Sequence, residues 1–445
     1  MYTTRLLRNT SAAPKQDSKR SQTMADRAEI AAGNVARHVN AKRLWDRLTA
    51  LARFGATDIG GVDRQALCDA EIDARAQLVR WGRAVGLAAS TDPVANLFLR
   101  YCGTDPDLPP VLVGSHIDTQ PSGGRFDGAF GVLAALESVE AIIACGMRPK
   151  RSIDIVAWMN EEGSRFAPGM MGSAVFSGAR NLKDILATSD CAGMTVDSEL
   201  RKILAAEPRL PQRPLGTIPA AFLEAHIEQG PILEIENKTI GVVSGIQGKR
   251  TFRVQVDGEE NHAGTAPRRL RRDALVSALN IVAALQEAIW DREDIVRFTV
   301  GMFTVSPNAP SVVPGRVVFS VDVRHPDAAT LRRIGDSIPG ICRNSAGRCE
   351  ATAVELLHEP PLEFPASIRD AIRSISSALG IPWMDIASGA GHDARYLHNI
   401  CPTGMIFIPC KNGISHNAAE SVLEEHAADG ARVLAELVFD VANAD

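Results

Sequence analysis

Nowhere does this chain approach the roughly 18 consecutive apolar residues that a membrane-spanning helix needs; apolar runs such as 111–114 and 141–145 are far too short. An excess of positive charge is missing as well. Its 48 Lys and Arg residues oppose 53 Asp and Glu, for a formal net charge of −5, so the basic footprint of a nucleic-acid binder is absent. The eight cysteines include no C-x-x-C pair, which argues against a thiolate metal site and against the disulfide framework of a small secreted domain. Free thiols in a reducing compartment are the expectation, and the cytoplasm with them. What is there is a composition 45% hydrophobic and 23% charged over 445 residues, enough for two or three globular domains. A small molecule is the expected partner. Any metal has to be held by carboxylates and by some of the ten histidines.

Residues 1–24 carry five Lys or Arg against one Asp and lack the apolar core of a signal peptide; a disordered tail is expected there. From 41 onward Leu44, Trp45, Leu48, Leu51 and Phe54 recur at helical spacing, and 72–85 repeats the pattern. A buried strand at 111–114, a helix at 128–145 and a strand at 153–158 then predict a largely parallel α/β sheet. Near 240 the pattern changes to period two. Strands at 241–244, 251–256, 300–305 and 317–323, with helices at 273–289 and 331–346, predict an α+β layer of four antiparallel strands and two helices. The expected division is a catalytic domain at 25–242, an inserted domain at 243–356 and a return to the first domain at 357–445, whose sheet resumes at 405–408.

Chemistry concentrates at strand ends. Residues 114–128, Gly-Ser-His-Ile-Asp-Thr-Gln-Pro-Ser-Gly-Gly-Arg-Phe-Asp-Gly, put His116, Asp118 and Asp127 in a turn-rich loop ahead of a helix, where open α/β sheets bind ligands. A His-x-Asp pair suits a metal ligand and a carboxylate that orients its imidazole. Asp127 can bridge two cations or cap the helix. The next strand runs into Met-Asn-Glu-Glu-Gly at 159–163. Adjacent carboxylates repel unless a cation or a shared proton offsets the repulsion; beside a metal, Glu162 would ligate and Glu161 would serve as general base. His226 follows a third apolar strand, and His416 stands in a loop ahead of the final helix. His116, Asp127, Glu162, His226 and His416 are the right kind and number of ligands for two divalent ions, zinc, manganese, cobalt or nickel. His262, in a Gly/Pro loop, is suited to stabilise an oxyanion, and Arg324, at a strand end, to grip a substrate carboxylate. His392 sits either behind the ligands or facing substrate. His38, His325, His358, His398 and His426 have no supporting context.

Six ordered motifs, Gly-Ser-His-Ile-Asp-Thr at 114–119, Gly-Gly-Arg-Phe-Asp-Gly at 123–128, Asn-Glu-Glu-Gly-Ser-Arg-Phe at 160–166, Glu-Ala-His-Ile-Glu-Gln-Gly-Pro at 224–231, Ser-Gly-Ala-Gly-His-Asp-Ala at 388–394 and Ile-Ser-His-Asn at 414–417, resemble the hydantoinase/carbamoylase branch of the M20 metallopeptidase superfamily. The resemblance spans about 40–440. It implies a catalytic α/β domain with two metals, an inserted domain that closes over the site and forms a homodimer, and hydrolysis of a ureido or amide C–N bond in an N-carbamoyl-L-amino acid, allantoate or a related compound. It also implies His116, Asp127 and His416 around one metal, Asp127, Glu162 and His226 around the other, Asp118 behind His116, and Glu161 as base. Gln229, His262 and Arg324 match substrate-binding positions, with His262 reaching the site of a second copy. Two departures stand out. Ser311 replaces the usual Asn, so either Asn308 substitutes from nearby or the substrate's carboxylate and ureido end is held differently, and Arg268 adds a cation that either favours a more anionic substrate or, the preferred expectation, faces solvent. Peptidase relatives carry a carboxylate where this chain has His226, so an exopeptidase or N-acyl-amino-acid deacylase is the second choice of activity.

Overall fold

Strands apolar on both faces must be covered on both sides, and this decides the architecture of the larger layer. The computed structural model describes residues 34–444, so the expected tail at 1–24 lies outside the described residues. The first six strands are β1 (Ala88–Thr91), β2 (Leu97–Tyr101), β3 (Val111–His116), β4 (Ile153–Trp158), β5 (Ala221–Ile227) and β6 (Ile240–Ile246). β3, β4 and β5 are buried at every position. The chain then leaves this layer for β7 (Gly248–Asp257), β8 (Asn261–His262), β9 (Arg297–Thr299), β10 (Phe303–Ser306), β11 (Val312–Val313), β12 (Arg316–His325) and β13 (Glu350–Glu359). It returns with β14 (Leu362–Glu363), β15 (Trp383–Ser388) and β16 (Thr403–Ile408). The result is a nine-stranded mixed sheet ordered β1-β2-β4-β3-β5-β16-β6-β14, with β15 also paired to β6. Its centre, β4, β3, β5 and β16, is parallel.

Helix Ala129–Ala144 packs against β3 and is buried along nearly its whole length. That leaves Glu137 and Glu140 without water, and helix Ala41–Leu51 supplies their partners. The Arg43 guanidinium donates to both oxygens of Glu137 at 2.7 Å, and Arg47 pairs with Glu140. A buried carboxylate stripped of such a partner costs about 3–5 kcal/mol.

The smaller layer is a separate antiparallel sheet, β10-β12-β7-β13 with β9 also on β12. Helices Ala274–Ile289 and Ala328–Ser345 cover the face carrying Phe252, Val254, Phe319 and Val321. Asp273 and Asp327 cap them through side-chain oxygens. The sheet has five strands where four were expected, and the membership differs. Segment 241–244 belongs to β6 in the large sheet, because its residues are buried on both sides. β13 went unforeseen because most of its residues are exposed and show no clean alternation. Of the 300–305 run only 303–305 is strand, in β10, while β9 lies just before it at 297–299. Among the described residues no helix is long and apolar enough to cross a membrane.

Candidate metal centre

The parallel core brings the carboxyl ends of four strands to one edge, the binding edge of open α/β sheets. His116 ends β3, Glu161 and Glu162 follow β4, His226 is the penultimate residue of β5, and His416 stands in the loop after β16. Asp127 joins them from the loop ahead of helix Ala129–Ala144. It is not the helix cap: that position is Gly128, at φ +61°, and no side chain caps the helix. A Cβ on Gly128 would lie 2.4 Å from the His116 ring, so only glycine lets the loop pass the imidazole.

Asp127 divides its oxygens between two clusters. Its Oδ1 lies 3.4 Å from His116 Nε2 and 3.1 Å from His226 Nε2. Its Oδ2 lies 3.3 Å from His416 Nε2, which is also 3.3 Å from Glu162 Oε2. The trios are therefore His116, Asp127, His226 and Asp127, Glu162, His416, with ligand atoms in each within 4.8 Å of one another. This exchanges the grouping implied by the resemblance: His226 goes with His116, and His416 with Glu162. β3 and β5 are neighbours in the sheet, so their terminal histidines meet.

Hydrogen bonds prepare the imidazoles. His226 Nδ1 lies 2.9 Å from the Ile227 carbonyl and His116 Nδ1 lies 3.0 Å from the Asp118 carbonyl. Donation to these carbonyls leaves Nε2 of both rings as an acceptor, the tautomer that a ligand needs, and that of His226 meets the Gly128 amide at 3.2 Å. The Asp118 carboxylate, 3.5 Å from His116 Nδ1, has a separate task. It accepts the Glu161 and Glu162 amides at 3.2 and 3.1 Å, tying the Glu-Glu turn to the His116 loop. Glu162 is further held by Gln120 Nε2 at 2.8 Å. Among the described residues, Asp127, Glu161 and Glu162 form ion pairs only with histidines. Burial pushes Glu162 up to about 7, and the charge of Asp127 adds to it. Burial also drives Glu161 well above the ordinary carboxylate range, with Asp393 and Glu162 reinforcing it. For Asp127 burial acts the same way, but its imidazole neighbours His116, His226 and His416 outweigh it and hold the carboxyl well below its usual range. Buried carboxylates facing imidazoles, with no arginine or lysine to neutralise them, fit divalent cations.

The remaining expected residues fall at different distances from this cluster. Gln229, at φ +58°, turns inward: its Nε2 donates to Asp127 Oδ2 at 2.8 Å. His416 also has a positive φ of 52°, and such strained backbone, costing roughly 1–3 kcal/mol, concentrates at functional sites. His392 is 2% exposed. It packs edge-on against His226 at 4.6 Å and meets Ser388 Oγ at 3.0 Å, so of its two expected placements this geometry fits the one behind the ligands. Arg324 uses Nε and Nη2 on Asp322 and reaches across to the Gly389 carbonyl at 2.8 Å. His262 is exposed on the β8–β11 ribbon, and among the described residues its side chain meets only the Gly264 and Thr265 amides of its own loop. Ser311 lies beside it, its carbonyl accepting the Ala263 amide. Asn308 and Arg268 are exposed on the same layer. Gln120 and Ser415, both against ligands, were not anticipated; a polar side chain beside a motif carries no sign of its burial.

The model of peptidase family M20/M25/M40 matches residues 112–440. An N-carbamoyl-L-amino-acid amidohydrolase of Rhizobium meliloti is 40% identical over 93% of this chain and 99% of its own length. The allantoate amidohydrolase of Bacillus subtilis strain 168 is 32% identical over 90% of this chain and 97% of its own. A solved amidase of the hydantoinase/carbamoylase family from Burkholderia multivorans superposes with a TM-score of 0.86 at 41% identity, covering 91% of this chain and 98% of that one. With its strand-end ligands, its separate antiparallel layer and these matches over most of its length, the chain belongs to the M20 family, in the hydantoinase/carbamoylase branch.

Proposed function

We propose that this amidohydrolase, which acts on non-peptide C–N bonds, hydrolyses the ureido C–N bond of a small linear substrate bearing a carboxylate, an N-carbamoyl-L-amino acid or an allantoate-like compound. The observation that carries the reading is the pair of ligand trios sharing Asp127, with Glu161 Oε2 3.6 Å from His116 Nε2. Two divalent ions held by these trios supply Lewis-acid polarisation of a carbonyl and a lowered pKa for water. Glu161 takes a proton from the attacking water as the oxygen bonds to the ureido carbon, and returns it to the leaving nitrogen as the C–N bond breaks. Arg324 anchors the substrate carboxylate with the donors that Asp322 and Gly389 leave free. The test is a panel run on the metal-loaded protein: an N-carbamoyl-L-amino acid, allantoate, an N-acetyl amino acid, a dipeptide, and a carbamoylated amine lacking the carboxylate. Turnover should favour the first two by tenfold or more and fail on the last. Faster cleavage of the dipeptide or the N-acetyl compound overturns the ureido assignment in favour of an exopeptidase or deacylase.

The same reading makes the protein a homodimer through the smaller layer. Val276 and Leu279, on the outer side of helix Ala274–Ile289, are 53% and 55% exposed. The sheet edge at β10 is open, with Met302 and Phe303 exposed beside it. Apolar side chains next to an open strand edge suit a second copy. His262 then serves the other copy's site. Its Nδ1 accepts the Gly264 and Thr265 amides at 3.0 and 3.2 Å, so its proton sits on Nε2, ready to be donated to an oxyanion. Mixing inactive His262→Ala and Glu161→Gln chains should restore activity, because one site of each mixed dimer has both groups intact. A mixture as inactive as its components overturns sharing between subunits.

A further inference from the structure

We propose that Glu420 is a positioning residue that fixes the bridging carboxylate Asp127, acting through the backbone of the Asp127 loop; this rests on the metal-centre reading above. Glu420 is 1% exposed. Its Oε1 accepts the amides of Phe126 at 2.8 Å and of Asp127 at 3.1 Å. Its Oε2 lies 3.0 Å from Ser415 Oγ, which is 3.1 Å from Asp127 Oδ2. One carboxylate thus holds both the main chain of Asp127 and, through a hydroxyl, its side chain. Ser415 also adjoins His416, so the same carboxylate sets the spacing between two ligands of one trio.

Local structure does not account for this arrangement. The helix that follows, Glu424–Asn443, has Leu423 at its N-cap and no side-chain cap, so Glu420 is not spent on starting it. The facing loop is shaped to admit the carboxylate. A Cβ on Gly124 would lie 2.0 Å from Glu420 Cδ and Oε1, so any larger residue there expels the side chain. Serine 415 has one hydroxyl hydrogen for two carboxylates, and receives a hydrogen bond from Gln229 Nε2 at 3.2 Å. Glu420→Gln removes that competition: the new amide nitrogen donates to Ser415 Oγ, the hydroxyl donates to Asp127, and the amide oxygen still accepts both backbone amides.

The test is a titration of the metal-free full chain with Co²⁺, followed by calorimetry and by the visible absorption of the bound ion. Glu420→Ala and Gly124→Ala should each weaken binding by about tenfold or more, the usual cost of losing a group that orients ligands, and should shift the absorption bands. Glu420→Gln should stay within about threefold of the unaltered chain and keep its spectrum, a rescue that loss of packing alone would not produce. If Glu420→Ala does not fold, Gly124→Ala and Ser415→Ala carry the same expectation. Binding by Glu420→Ala within twofold of the unaltered chain overturns the proposal. So does a glutamine variant as weak as the alanine one, since charge and not hydrogen bonding is then responsible. Failure of the unaltered chain to bind Co²⁺ instead overturns the metal-centre reading, and this proposal with it.

Discussion

Glu161→Gln is expected to lower kcat by about 10²–10⁴-fold, the range that a positioned general base contributes, with KM and bound metal unchanged. Three features argue for this division of effects. Glu161 belongs to neither ligand trio, so its loss removes no metal ligand. Its carboxylate lies 3.6 Å from His116 Nε2, at the edge of the cluster where an attacking water has to sit. Glutamine keeps the shape, and the backbone amide of residue 161 keeps its bond to Asp118, so the turn that carries Glu162 stays in place. What disappears is the ability to accept a proton. Metal content by atomic spectrometry and steady-state kinetics on an N-carbamoyl-L-amino acid decide it. A rate within tenfold of the unaltered chain removes Glu161 from the base role, and loss of metal makes it a ligand instead. Glu162→Gln is the internal contrast, because Glu162 Oε2 faces His416 and its loss weakens ion binding.

His116, Glu162 and His226 were legible because each stands at or just past the end of an apolar run, and Asp127 and His416 because each stands in a polar loop ahead of a helix. A strand's periodicity and the polar residue that ends it are local, and the sheet's parallel core brings those ends together. Which ligands share an ion was not legible. That depends on the order β4-β3-β5-β16, in which β3 and β5 adjoin although more than a hundred residues separate His116 from His226. The same limit hid Glu420, whose partners Phe126 and Asp127 lie 294 and 293 positions away. His392 was ambiguous for a different reason. Its Gly-rich surroundings suggest an exposed loop, whereas packing against His226 and Phe407 buries it. In the smaller layer the alternating strands β7 and β12 were clear because one face meets two helices. β13 has few buried residues and so no hydrophobic period to follow.

Asp127→Ala is expected to abolish binding of both ions and with it all measurable turnover, a larger loss than removal of any other ligand. Asp127 is the only residue common to the two trios found among the described residues. Its Oδ1 faces the two histidines of one trio and its Oδ2 faces the histidine of the other, so a single substitution takes an anionic donor from each. The His116, Asp127, His226 trio then contains two neutral imidazoles and no carboxylate, a poor offset for the desolvation of a divalent ion. Glu162 and His416 are left as a pair with half of their former anionic charge. His226→Ala and His416→Ala each damage one trio and leave the other complete. The expected order of metal content per chain is therefore two ions in the unaltered protein, about one in either histidine variant and none in Asp127→Ala, measured after equilibration at matched free Zn²⁺. An Asp127→Ala protein that retains one ion shows that the trios do not depend on a common carboxylate. Loss of both ions in His416→Ala alone shows that the two positions fill cooperatively, and the division of Asp127 between them then falls.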